Sequence, residues 1–172
     1  GLWLTSTSNL DNSGTISTDG NYGVYCLACE DLTLTNSGTI SAGIQRGVYL
    51  PEATGTNTIT NSGTISSVGL GAVDIREATG VTLVNSGTLS SGGRPVDAAG
   101  AFAPTITNSG TITSLASKTY GIAIDLTQQN AENPGSGATI TNSGTIEGLG
   151  TNADGIRIGN GTGVYNDVTI TN

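Results

Sequence analysis

Aliphatic and hydroxyl-bearing residues alternate along this chain in short bursts that return at a nearly constant distance. Thr33-Leu34-Thr35, Thr58-Ile59-Thr60, Thr105-Ile106-Thr107 and Thr139-Ile140-Thr141 each set one aliphatic side chain between two threonines. A period of two is that of a β-strand, with the aliphatic group on one face and both threonines on the other. Each burst leads into Asn-Ser-Gly-Thr-Ile, at residues 12–16, 36–40, 61–65, 108–112 and 142–146; the copy at 85–89 ends on Leu89 instead. A last copy begins Val168-Thr169-Ile170-Thr171 and reaches Asn172. Successive asparagines are 24, 25, 24, 23, 34 and 30 residues apart. Self-similarity at such a period is the mark of a repeat architecture.

The pattern within one repeat predicts one turn of a coil. Ser-Gly after the Asn is turn chemistry, and the glycine is expected to supply a left-handed backbone at a sharp corner. Alternation then resumes, as in Thr39-Ile40-Ser41. A third alternating segment follows: Gly23-Val24-Tyr25-Cys26, Gly47-Val48-Tyr49-Leu50, Ala72-Val73-Asp74-Ile75, Pro95-Val96-Asp97-Ala98, Gly121-Ile122-Ala123-Ile124 and Gly155-Ile156-Arg157-Ile158. Three short strands per repeat, all sending aliphatic groups to one side, cannot bury them alone, but a stack of coils can. The expected fold is all-β, a right-handed parallel β-helix (a β-solenoid) of about 24 residues per coil. It comprises about six coils with partial coils at the ends, handedness following the rule for parallel crossovers. Residues 1–172 form a single domain, expected to be a segment of a longer solenoid or a fibre subunit. Like residues should lie above like. Leu10, Leu34, Ile59, Leu83, Ile106, Ile140 and Ile170 form one inward ladder, and Ile16, Ile40, Ile65, Leu89, Ile112 and Ile146 another. Asn12, Asn36, Asn61, Asn85, Asn108, Asn142 and Asn172 form a ladder at the corner, where each amide can donate to one neighbour and accept from the other.

Tandem Thr-Ile-Thr-Asn-Ser-Gly-Thr-Ile units followed by Gly-Val-Tyr or Tyr-Gly-Ile segments resemble the passenger regions of bacterial autotransporters and related secreted adhesins. The resemblance covers essentially the whole chain. It implies a secreted or cell-surface protein exported through the outer membrane, with adhesion or display as its role.

Composition sharpens this picture in a few places. Only 10% of residues are charged, which would suggest low complexity were the aliphatic spacing not so regular. The net charge of −8 argues against nucleic acid or an anionic membrane as partner. No apolar run approaches the length of a membrane span. Cys26 and Cys29 stand in Cys-Leu-Ala-Cys: a local disulfide, a pair of free thiols or a reactive pair. A zinc site is disfavoured because the chain has two cysteines and no histidine. No metal or other cofactor is expected.

Candidate sites lie on the outward positions. Trp3, Tyr25 and Tyr49 share one position in three successive coils, and Asp74 and Asp97 continue the column. The aromatics suit either a glycan platform or plain cross-strand stacking. The two carboxylates could face water, hold a cation between them or, as in β-helical pectin-degrading enzymes, do acid/base work with Arg76 and Arg94 as neighbours. The Thr-x-Thr pairs (Thr33, Thr35, Thr58, Thr60, Thr105, Thr107, Thr139, Thr141, Thr169 and Thr171) make a flat hydroxylated face that resembles those of ice-binding proteins. Asn9 and Asp11 interrupt it, as does Val84, and Glu147 breaks the corresponding array on the next face. Segments 128–137 and 159–167 carry turn signals and are expected to project as loops on one side. The coil ends offer a means of end-to-end self-association. The function expected from all this is non-enzymatic: a structural and adhesive stalk, display scaffold or fibre subunit outside the cell. Ice binding and polysaccharide binding or cleavage are the alternatives.

Overall fold

The computed structural model describes residues 1–5, 8–115, 121–127, 135–159 and 165–172. All described elements are short strands, gathered in three parallel sheets. The first sheet holds Asn9–Asn12, Thr33–Asn36, Thr58–Asn61, Thr82–Asn85, Thr105–Asn108, Thr139–Asn142 and Thr169–Thr171. The second holds Thr15–Thr18, Thr39–Ala42, Thr64–Ser67, Thr88–Ser91, Thr111–Ser114 and Thr145–Gly148. The third holds Leu2–Leu4, Tyr22–Cys26, Arg46–Tyr49, Gly71–Asp74, Val96–Asp97, Ile122–Leu126 and Asp154–Ile158. The chain visits the sheets in rotation, making six full coils between one leading and one trailing strand. It is a β-solenoid.

Register follows the repeated motif. Leu10 pairs with Leu34, Leu34 with Ile59, Ile59 with Leu83, Leu83 with Ile106, and Ile106 with Ile140. On the second sheet Ile16, Ile40, Ile65, Leu89, Ile112 and Ile146 stack in the same way. In the middle coils these side chains are wholly buried, and they join Val24, Val48, Val73, Val96 and Ile124 of the third sheet in one continuous core. Burial of this column is the main favourable term holding the coils together.

The asparagines close the corner between the first and second sheets. The Nδ2 of Asn12 donates to Oδ1 of Asn36 at 2.7 Å, and Asn36 donates in turn to Asn61 at 2.8 Å. The series continues through Asn85, Asn108 and Asn142 to Asn172 at 2.7–2.8 Å, always in the same sense. From Asn12 to Asn108 each amide also lies 3.1–3.3 Å from the Gly carbonyl two residues on and from a Thr carbonyl of the next coil. The buried amide groups are thus satisfied, and aligned bonds of one polarity strengthen one another.

The glycine of Asn-Ser-Gly does something other than expected. None of these six glycines is in the left-handed region; the requirement comes from the coil below. A Cβ on Gly38, Gly63, Gly87, Gly110 or Gly144 would meet the carbonyl oxygen of the preceding coil's glycine at 2.0–2.2 Å. Backbone rests on backbone there, and only a hydrogen fits.

Left-handed residues occur instead where the third sheet returns to the first. Ala28, Glu52, Glu77 and Gly100 form one such series, and Asp31, Gly55, Gly80, Ala103, Gly137 and Asp167 another. Cys26 and Cys29 span the first of these corners and are joined by a disulfide, with Cα atoms 5.7 Å apart and both side chains buried. That distance is ordinary for a disulfide.

One expected alignment shifts. Val96 and Asp97 pair with Ile124 and Asp125, not with Ile122 and Ala123. A slip of two residues keeps every side chain on its original face, so alternation alone does not detect it. Most of the two expected loops, 128–134 and 160–164, lies outside the described residues. Their return segments do not project. Ser136 bridges Phe102 and Asn166, while Tyr165 is buried with its hydroxyl donating to the Ala101 carbonyl. Burial pushes the Tyr165 hydroxyl pKa well above its ordinary value.

Candidate functional site

The outward face of the third sheet carries the most varied chemistry on the molecule. Its central column runs Trp3, Tyr25, Tyr49, Asp74, Asp97, Asp125, Arg157, each paired in register with the next. The first five are the residues expected there. Asp125 and Arg157 extend the column, and Arg46, one strand position before Gly47, joins it from the side.

The carboxylates do not face water, as their outward position suggested. Asp74, Asp97 and Asp125 are 1%, 6% and 0% exposed. Guanidinium groups are interleaved with them. Asp74 is held by Arg46 Nε and, at 3.1 Å, by Arg76 Nε. Asp97 lies 3.7 Å from Arg76 and 3.4 Å from Arg94, and Arg94 Nε is 2.8 Å from Asp125 Oδ2. Three carboxylates thus face three guanidiniums and the cluster is neutral. Each carboxylate also accepts from the backbone N–H two residues on, of Arg76, Ala99 and Thr127, which pins it to its own turn. The Arg94–Asp125 approach is close but poorly aligned, and Asp125 Oδ2 has no hydrogen-bond donor among the described residues. Burial, with the neighbouring Asp74 next in importance, raises the Asp97 pKa to about 6. Among the described residues no three His, Cys, Asp or Glu side chains come together as a metal site. The spaces between the carboxylates are occupied by arginine.

The aromatics form a cluster rather than a single file. Tyr22, from the start of its strand, stacks on Tyr25 at 5.1 Å and on Tyr49 at 5.2 Å, and Tyr25 stacks on Tyr49 at 5.5 Å. Trp3 stands edge-on to Tyr25, with centroids 5.0 Å apart and planes at 76°. Arg46 lies 4.4 Å over the Tyr49 ring and Arg76 5.9 Å from it, so Tyr49 joins the aromatic and ionic halves of the column. Burial, and then the Asp74 carboxylate, push the Tyr49 hydroxyl pKa above its ordinary value. Trp3 remains 70% exposed and lines a cleft of ≈ 400 Å³ with Gly1, Leu2, Asn21, Tyr22 and Tyr25.

The threonine faces are equally regular. Thr33/Thr35, Thr58/Thr60, Thr105/Thr107, Thr139/Thr141 and Thr169/Thr171 lie in two parallel columns, exposed or half-buried, with Thr82 completing one and Val84 interrupting the other. Asn9 and Asp11 lie beside Thr33 and Thr35, and Glu147 stands beside Thr113 on the second sheet, as expected.

Residues the sequence reading missed had different signals. Asp125 follows from correct alignment of the fifth coil. Arg46 and Tyr22 share a register position, visible once the strands are taken back by one more residue. Nothing local marks Asn21.

Three parallel sheets, a continuous aliphatic core and an unbroken asparagine ladder place the molecule among the β-solenoids. Comparison with known proteins goes no further: the chain matches no family model, no curated protein and no solved structure.

Proposed function

We propose that the chain is a structural and adhesive segment of a secreted or cell-surface bacterial protein, acting as a stalk, display scaffold or fibre subunit without catalysis. One observation carries this reading: the aliphatic interior repeats from coil to coil over six coils, while the outward column of the third sheet changes from aromatic to acidic to basic on the same register. Such a column keeps its shape whatever it displays. The resemblance of the Asn-Ser-Gly-Thr-Ile units to autotransporter passengers supports the bacterial surface as its place. Buried, arginine-paired carboxylates at Asp74 and Asp97 are poorly disposed for acid/base work, which supports a non-catalytic role. The test is adhesion. Inert beads coated with the chain are expected to be retained on one another or on host cell monolayers well above albumin-coated beads. Retention equal to albumin on every surface overturns the adhesive reading, and cleavage of polygalacturonate overturns the non-catalytic one.

The in-register threonine columns favour a second reading, ice binding, in which evenly spaced hydroxyl and methyl groups match a lattice. Faceted ice growth with thermal hysteresis would establish it. Smooth disc-shaped crystals would remove it.

A further inference from the structure

We propose that Trp3, Asn21, Tyr22 and Tyr25 form a binding site for a neutral pyranose ring of a host or neighbour-cell glycan. The proposal rests on the adhesive reading above and names its ligand class.

The argument begins with shape. Trp3 and Tyr25 meet at 76°, and Tyr22 is nearly parallel to Tyr25 with planes 20° apart. The cleft therefore has two aromatic walls set close to a right angle. A pyranose has one face of C–H bonds, slightly positive, and a rim of hydroxyls. The C–H face suits the electron-rich face of an indole or phenol ring. The rim then needs a polar group at the edge of the aromatic surface, and the exposed Asn21 lines the cleft there. A side-chain amide both donates and accepts, so it can serve adjacent hydroxyls of one sugar. The volume, ≈ 400 Å³, is that of a small-ligand site and leaves room for one or two rings.

Charge decides the class of sugar. The side chains lining the cleft, Leu2, Trp3, Asn21, Tyr22 and Tyr25, are none of them ionic at neutral pH. Among the described residues the one cation beside them is the Gly1 amino group, with no guanidinium or lysine in the lining to clasp a carboxylate or sulfate. The nearest guanidinium, Arg46, is engaged by Asp74 and by Gln45 Oε1 at 2.9 Å. With a net charge of −8 the chain repels carboxylated or sulfated glycans at long range. The walls are also held before any ligand arrives: the Tyr22 hydroxyl donates to Gln45 Oε1 at 3.1 Å, and Tyr25 is stacked between neighbours. Little side-chain freedom is left to lose on binding.

Tyr49 has a different part. It lies under Arg46 on the far side of Tyr22 and Tyr25, outside the cleft lining, and acts as a positioning residue for the two tyrosines.

Trp3 is the only tryptophan in the chain, so its fluorescence reports on this cleft alone. The whole chain is titrated with cellobiose, lactose, maltose and chitobiose, with 3′-sialyllactose as the anionic comparison and p-cresol as an apolar one. A saturable change in Trp3 emission is expected with at least one neutral disaccharide, and a weaker response to sialyllactose. Asn21→Ala and Tyr22→Ala, each checked for native circular dichroism, are expected to weaken binding by about fivefold to tenfold. Thr107→Ala, on the first sheet, leaves it unchanged. No change with any saccharide, or stronger binding of the anionic one, overturns the proposal. Binding of p-cresol alone does so too, and reassigns the cleft to an apolar side chain of a protein partner. Bead adhesion that persists without any sugar response removes this site and spares the adhesive reading; sugar binding without adhesion does the reverse.

Discussion

The Asn-Ser-Gly corner and the outer face of the third sheet are built on the same register but obey opposite rules. At the corner each residue's neighbour is a copy of itself, amide on amide and glycine on glycine, and from Gly38 onward a Cβ at the glycine would strike the coil before it. Along the face, the column changes from indole to phenol to carboxylate to guanidinium without disturbing the strand pairing. Register is therefore enforced from the inside and the corner. The outer face of the third sheet is left free to vary, and where Asp74, Asp97 and Asp125 follow one another, Arg46, Arg76 and Arg94 offset them.

The contrast can be broken most forcefully at Gly87. A methyl group there would sit 2.1 Å from the Gly63 carbonyl oxygen, whereas one on Gly14 would meet nothing within 4 Å. Gly87→Ala is expected to destabilise the chain by about 3–5 kcal/mol and Gly14→Ala by less than about 1 kcal/mol, measured by denaturant unfolding. Equal losses at both positions would mean that the glycine serves conformation and not contact. Asn85→Ala should come next, at about 2–4 kcal/mol, because it strips the acceptor from Asn61 and the donor from Asn108 in a buried setting. A loss no larger than that of an exposed threonine substitution would show the ladder to be energetically idle.

The face should give the smallest and the most condition-dependent effect. Asp97 has its pKa raised from 3.8 to about 6, so between those values the folded chain holds a proton that the unfolded chain has released. Stability on this account is greatest at the acid end of that window, falls as pH rises through it, and levels off above about 6. The chain is expected to be more stable to denaturant at pH 5 than at pH 7.5 by about 1–1.5 kcal/mol, the part of the window that lies between pH 5 and about 6, and Asp97→Asn should flatten the difference. A variant with the parent's full pH slope would assign that slope to another group.

Much of the interior was legible because stacking requires like above like. The Leu34, Ile59, Leu83 and Ile106 column and the asparagine ladder could be written down from spacing alone. Physical ambiguity marks the rest. Alternation tolerates a shift by two, so the pattern alone aligns Asp97 with Ala123, whereas Asp125 is its neighbour. Glycine has two uses, a left-handed backbone and a close approach, and sequence does not separate them; the corner uses the second. Glu52 and Glu77 adopt positive φ with no residue type to announce it. Burial of Asp74 and Arg46 depends on side chains reaching across coils, which a pattern of outward positions does not capture.

From Asn12 to Asn142 each amide in the corner column donates to the next in one direction, and every strand beside it runs parallel. Such a molecule has a head and a tail even where its surfaces look alike. A second copy could prolong the proton-donor chain only by simple translation along the axis, never by a two-fold rotation. Assembly of that kind does not close on itself, so it would produce an open polar filament and not a sealed pair.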